Sequence, residues 1–145
     1  MTGETRDGGT IRVTLHGQVA ELLINRPAKH NAITPAMAAD LAAARALDAD
    51  AAVRAVLLHG AGAHAVCAGS DLLGRSRVEY ATAIRNIRKP VVAALQGWTL
   101  GGGAEMALGA DIRIARQAGV TFPSSSCHPA AVSGKSLIVL RTAIW

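Results

Sequence analysis

Apolar and polar residues alternate from Ile11 to Leu15, Gly17 turns the chain, and a second apolar run, Val19 to Ile24, ends at Arg26-Pro27. A period of two marks a strand with one buried face, so the two runs predict a β-hairpin. The period changes after Thr34-Pro35, an N-cap followed by proline at the first helical position. An Ala-rich run to about Leu47 then places Met37, Leu41, Ala44 and Leu47 on one side of a helix. Val53 to Leu58 is a short β-branched run stopped by His59-Gly60, which predicts a buried parallel strand followed by a Gly/Ala loop reaching Gly69.

The second half repeats the rhythm. A helix is expected from about Val78 to Arg88, Lys89-Pro90 breaks it, and Val91 to Leu95 forms another strand. Gly101-Gly102-Gly103 opens a helix running to about Leu108, and Asp111 to Ala115 supplies one more strand. Strand and helix in alternation imply an α/β fold with parallel strands joined by right-handed crossovers. In that class ligands sit in loops at the strand carboxyl ends, where both glycine-rich loops of this chain fall.

Composition supports a packed core, since half of the 145 residues are apolar, but Trp98, Trp145, Tyr80 and Phe122 are the only aromatics and aliphatic packing must carry the fold. The net charge of +5 changes the picture little. Residues 1–111 are nearly balanced, and the excess comes from Arg113, Arg116, Lys135 and Arg141, scattered among apolar and Ser residues, so no nucleic-acid face is indicated. The polar start, Met1 to Thr10, and the short apolar stretch Leu137 to Leu140 give neither a leader nor a membrane span, and a cytoplasmic protein is expected. Cys67 and Cys127 form no disulfide framework; His59, His64 and Cys67 have the wrong interval for a zinc set and are read as loop residues, with no metal expected.

Two phosphate-binding patterns fail on context. Gly60-Ala61-Gly62-Ala63-His64-Ala65 matches a loose dinucleotide fingerprint but does not follow a first strand, and no strand ending in an acid comes after it. Ser133-Gly134-Lys135-Ser136 imitates the end of a P-loop, yet Pro129 stands where its first glycine belongs.

Three other segments carry a resemblance: INRPAKHNAI at 24–33, HAVCAGSDLLG at 64–74, and KPVVAALQGWTLGGGAEMALGADIRIA at 89–115. Together they resemble the crotonase superfamily, the enoyl-CoA hydratase/isomerase family, over about residues 10–122. The third is the most specific, with strand, glycine, loop, Gly-Gly-Gly, acid and Ala-rich helix in the family's order. The resemblance implies a crotonase-like (ClpP/crotonase) spiral ββα core over residues 1–122, incomplete because the C-terminal helical region is missing, and a divergent tail over 123–145.

It also implies chemistry on an acyl-CoA thioester, with coenzyme A entering as part of the substrate and no further cofactor. Family reactions pass through a thioester enolate whose oxygen needs preorganised donors. By position the resemblance assigns that oxyanion hole to the backbone amides of Ser70 and Gly102, acid/base work to Glu105, and coenzyme A binding to Ala28, Ala68, Asp71 and Leu72. Bland readings stand beside these. A glycine triplet also permits a tight turn, Glu105 in a first helical turn complements the helix dipole, and Asp71 suits a loop or cap.

Hydratases of the family carry a second glutamate after the strand at 111–115, but this chain has no acid after Asp111. A frameshifted or truncated gene is the expectation drawn from that break, with the family trimer not expected without the C-terminal helices. Two further readings follow from it: a remnant that at most binds coenzyme A, and a double-bond isomerase working with one carboxylate.

Overall fold

The computed structural model describes residues 8–72, 80–116 and 136–140, with Arg116 and 136–140 described as backbone only. The predicted hairpin is present as β1 (Thr10–His16) and β2 (Val19–Asn25), paired antiparallel from Thr10↔Asn25 to His16↔Val19. The next strands are β3 (Ala55–Gly60), β4 (Ala65–Cys67), β5 (Val91–Leu95), β6 (Trp98–Thr99), β7 (Ile112–Arg116) and β8 (Ser136–Leu140). From β2 onward the main sheet, ordered β1-β2-β3-β5-β7-β8, is parallel, while β4 and β6 pair in a small second sheet.

Helices α1 (Pro35–Ala43), α2 (Tyr80–Arg85) and α3 (Gly102–Gly109) supply the crossovers. Burial alternates along β2, β3 and β5, so Ala20, Leu22, Ile24, Val56, Leu58, Val91, Ala93 and Leu95 form one closed face. Met37 and Leu41 of α1, Ile84 of α2 and Met106 of α3 pack into the same core. The expected helical face is thus the buried one: Met37, Leu41 and Ala44 are inside and Leu47 is partly so.

Several boundaries differ from expectation. The Thr34 hydroxyl does cap α1, accepting from Met37 N–H at 3.3 Å, but the α-helix stops at Ala43 and tightens into a 3-10 helix over Ala44–Ala49. Tertiary contacts hold the far end of that 3-10 helix. Lys89 Nζ donates to the carbonyls of Leu47 and Asp50, while the Asp48 carboxylate accepts the N–H groups of Arg88 and Lys89. The loop expected between His59 and Gly69 contains β4, and Trp98–Thr99 is β6; runs of two and three residues are too short to show a period. His59 in β3 and buried Cys67 in β4 are therefore strand residues and not loop residues, the Cys67 thiol pushed up to about 12 by burial, whereas His64 is an exposed loop residue.

Of the helix expected from Val78, the residues from Tyr80 on are described; Val78 and Glu79, the segment from Phe122 to Pro129, Cys127 and Ser133 to Lys135 lie outside the described residues. Asp111 opens β7 and is committed to structure, its carboxylate accepting Val91 N–H at 2.9 Å. Buried Arg113 donates to the carbonyls of Ala107 and Ala110 at the end of α3, where unpaired carbonyls and the helix dipole favour a cation. No helix among the described residues is long and apolar enough to cross a membrane.

Candidate active site

The segment after β2 turns sharply. A 3-10 helix over Pro27–Lys29 is followed by His30 and Asn31 at φ 50° and 57°, in the left-handed region that asparagine tolerates better than most residues. Buried Asn31 holds the turn in place. Its Oδ1 accepts Arg26 N–H at 2.8 Å, and its Nδ2 donates to Ala61 O at 2.9 Å and Ala65 O at 2.8 Å, tying this turn to the loop after β3. Asn31→Ala removes three hydrogen bonds, the one to Ala65 O buried and the other two part-buried, so a stability loss of about 3 kcal/mol is expected. Urea unfolding monitored by circular dichroism measures it; a loss below about 1 kcal/mol means that the turn is held by other contacts.

Arg26 makes the second tie. Its Nη1 meets Asp71 Oδ2 at 2.5 Å, a largely buried ion pair across 45 residues of chain. Asp71, assigned by resemblance to coenzyme A binding, is thus engaged with the protein itself. The pair forms part of the wall of an open cavity of about 570 Å³, together with Ala28, Ala68, Ser70 and Leu72. Four residues expected to face coenzyme A are therefore brought to one cavity, although Leu72 is 97 % exposed and stands at its rim. Lys29 and His30 line it as well, and the sequence reading did not single them out.

Beside that wall the two glycine loops touch backbone to backbone. Gly69 sits at φ 98°, a conformation that L side chains rarely adopt, and a Cβ there would crowd Leu100 O at 3.2 Å and Gly102 N at 3.3 Å. Gly101 takes φ 50°, a conformation that L side chains rarely adopt. Ser70 itself bridges to Ile33, but through its neighbours: Ile33 N–H donates to Gly69 O and Asp71 N–H to Ile33 O. Among the described residues the N–H groups of Ser70 and Gly102 have no acceptor. Gly102 is moreover the first residue of α3, where the dipole favours negative charge.

Glu105 lies in the first turn of α3, its N–H bonded to Gly101 O at 3.0 Å. Its side chain is half-buried and, among the described residues, its carboxylate has no hydrogen-bond or ion-pair partner. Gly102 and Glu105 are not part of the cavity wall that Ser70 belongs to; the Gly69–Gly102 contact connects the two regions. A residue the sequence reading passed over stands between them. Tyr80, at the start of α2 and 4 % exposed, hydrogen-bonds Ser70 Oγ through its hydroxyl at 2.7 Å. Only its aromatic character in an aromatic-poor chain was available as a signal.

A sequence model of the family described as Enoyl-CoA hydratase/isomerase matches residues 14–128. The chain belongs to that family. Among its relatives, a probable enoyl-CoA hydratase of Rhizobium meliloti is 34 % identical over 120 residues, covering 74 % of this chain and 46 % of the relative. The mitochondrial enoyl-CoA hydratase domain-containing protein 2 of Mus musculus is 37 % identical over 116 residues, covering 70 % and 39 %. The crystal structure of an enoyl-CoA hydratase from Bacillus anthracis superposes with a TM-score of 0.69 at 29 % identity, over 78 % of this chain and 50 % of that one.

This enoyl-CoA hydratase/isomerase family chain therefore has the crotonase fold in part, and it spans about half the length of the curated relatives it matches, or less. Within the family frame the three quoted segments meet in space. The first two are joined by Arg26–Asp71 and Asn31, and the second and third by the contact of Gly69 with Gly102.

Proposed function

We propose that this chain binds an acyl-CoA thioester and polarises its carbonyl between the amides of Ser70 and Gly102, with Glu105 as the acid/base group. The observation that carries this reading is the pair of amides without acceptors among the described residues, on two loops that touch where Gly69 meets Gly102 at the start of α3. Negative charge develops on the thioester oxygen when a proton leaves the α-carbon, and fixed N–H donors meet it without reorganisation. A carboxylate one helical turn on, without a partner among the described residues, is suited to take that proton. Ala28, Ala68 and Leu72 contribute apolar wall for the pantetheine arm and adenine, and Lys29 adds a cation suited to a phosphate.

Coenzyme A arrives as part of the substrate. Residues 112–145 contain no Asp or Glu, which favours, for chemistry done by these residues alone, proton shuttling along the acyl chain over addition of water. Cytoplasmic residence belongs to the same proposal. The test is thermal unfolding with and without a short-chain acyl-CoA. Binding to the native state raises the midpoint, by the equivalent of about 2.7 kcal/mol at a hundredfold excess over Kd. No rise at millimolar ligand overturns the acyl-CoA reading; a rise without any α-proton exchange reduces it to a binding module.

A further inference from the structure

Two amides that must meet one oxygen have to be held to within about 0.5 Å, yet each here follows a glycine, the residue with the widest backbone freedom. Ser70 follows Gly69 at φ 98°, and Gly102 follows Gly101 at φ 50°; neither glycine has a side chain to anchor its loop. Tyr80 touches both loops. Its hydroxyl is 2.7 Å from Ser70 Oγ, and its ring lies so close to Gly102 that a Cβ on that residue would be 2.2 Å from Cδ2 and 2.3 Å from Cε2. The ring is itself fixed from behind, since Tyr80 is almost wholly buried at the point where α2 packs on α3.

The geometry points to Tyr80 as a positioning residue of the oxyanion hole: its ring seats Gly102, and its hydroxyl locks the Ser70 side chain and with it the Ser70 amide. This rests on the proposed thioester-polarising role of those amides. Burial, the dominant effect, pushes the phenol above its ordinary value, and the nearby Glu105 carboxylate acts the same way, against the Ser70 hydrogen bond. The hydroxyl therefore stays protonated through neutral pH, and Tyr80 acts through Ser70 and Gly102 and not as a proton donor. The requirement is mutual: with a tyrosine ring at this place, residue 102 has space only for glycine.

The probe is a thioester of coenzyme A with a conjugated aryl-acryloyl group, whose absorption moves to longer wavelength when its carbonyl is polarised. The full chain is expected to bind it with such a red shift. Tyr80→Phe, which keeps the ring and removes the hydroxyl, is expected to reduce the shift at least about twofold and to slow α-proton exchange, with Kd changed less than about threefold. Ser70→Ala, which keeps the amide and removes Oγ, is expected to do the same, and the double variant no more than either alone.

A red shift in Tyr80→Phe equal to that of the unsubstituted chain overturns the positioning role while leaving the oxyanion reading intact. Binding of the probe by the unsubstituted chain with no red shift overturns the oxyanion reading, and the inference with it. Should Tyr80→Phe fail to fold, Ser70→Ala alone decides, because it breaks the same hydrogen bond from the exposed side. In that case an unchanged shift overturns the inference.

Discussion

Glu105→Gln is expected to slow α-proton exchange of a bound acyl-CoA in deuterated water by about 10²–10⁴-fold, the usual loss when a positioned acid/base group is removed. The exchange reaction is the right readout because it needs only a polarised carbonyl and one base. Glutamine keeps the size of the side chain and removes the basic oxygen. The Glu105 carboxylate has no partner among the described residues, so nothing in the core is orphaned by the change. What stability is lost comes from the favourable placement of an acid at a helix N-terminus, about 0.3–1 kcal/mol. Proton magnetic resonance of the α-position follows the exchange, and the melting shift with acyl-CoA verifies that binding persists. Exchange that proceeds unchanged in Glu105→Gln assigns the base to another residue.

Gly103→Ala is expected to cost about 2 kcal/mol of stability and to reduce exchange as well. In the interior of a helix alanine is better than glycine by about 1 kcal/mol, so propensity alone has the opposite sign. The close approach decides. A Cβ at residue 103 would stand 2.3 Å from Cys67 O, 2.8 Å from Cys67 Cβ and 2.9 Å from Cys67 C. Two of these are backbone atoms of β4, which cannot rotate away, and Cys67 O is already engaged, accepting Leu100 N–H at 3.0 Å. Relief requires α3 to move off β4, an overpacking strain of about 1–3 kcal/mol beyond the propensity gain.

Because α3 carries Gly102 and Glu105, that movement also displaces the proposed donors from the acyl group. The urea midpoint of Gly103→Ala measures the first effect and α-proton exchange under folding conditions the second. A midpoint at or above that of the unsubstituted chain shows that β4 yields, and that the contact is not what positions the helix. Gly17→Ala is the comparison for strain alone. Gly17 sits at φ 59° with nothing within 4 Å of a Cβ, so its cost is that of a left-handed alanine, about 1–2 kcal/mol, with exchange unaffected.

Much of the secondary structure was legible because its causes are local. The alternation of Ile11 to Leu15 and Val19 to Ile24, the Thr34-Pro35 cap and the β-branched runs at 53–58 and 91–95 act through residues a few positions apart, and β1, β2, α1, β3 and β5 form there. The glycine triplet likewise announced the start of α3, and the order of motifs announced the family. The positions named by resemblance lie on the cavity wall and at the start of α3. Sequence by itself therefore determined the longer elements and the family.

The tertiary structure decided how those residues are held. The ion pair of Arg26 with Asp71 spans 45 residues, and its partner choice has no local signal. Asn31 was one polar residue in a loop until the carbonyls of Ala61 and Ala65 closed around it. Lys89 reaches across to the carbonyl of Leu47 in the 3-10 helix after α1, β4 pairs with β6, and Tyr80 gains meaning only where its ring meets Gly102 and its hydroxyl meets Ser70. Each of these is a contact between distant segments. Propensity and periodicity report what a residue does to its neighbours along the chain, whereas a buried polar partner is selected by whichever groups folding leaves unpaired at that point in space.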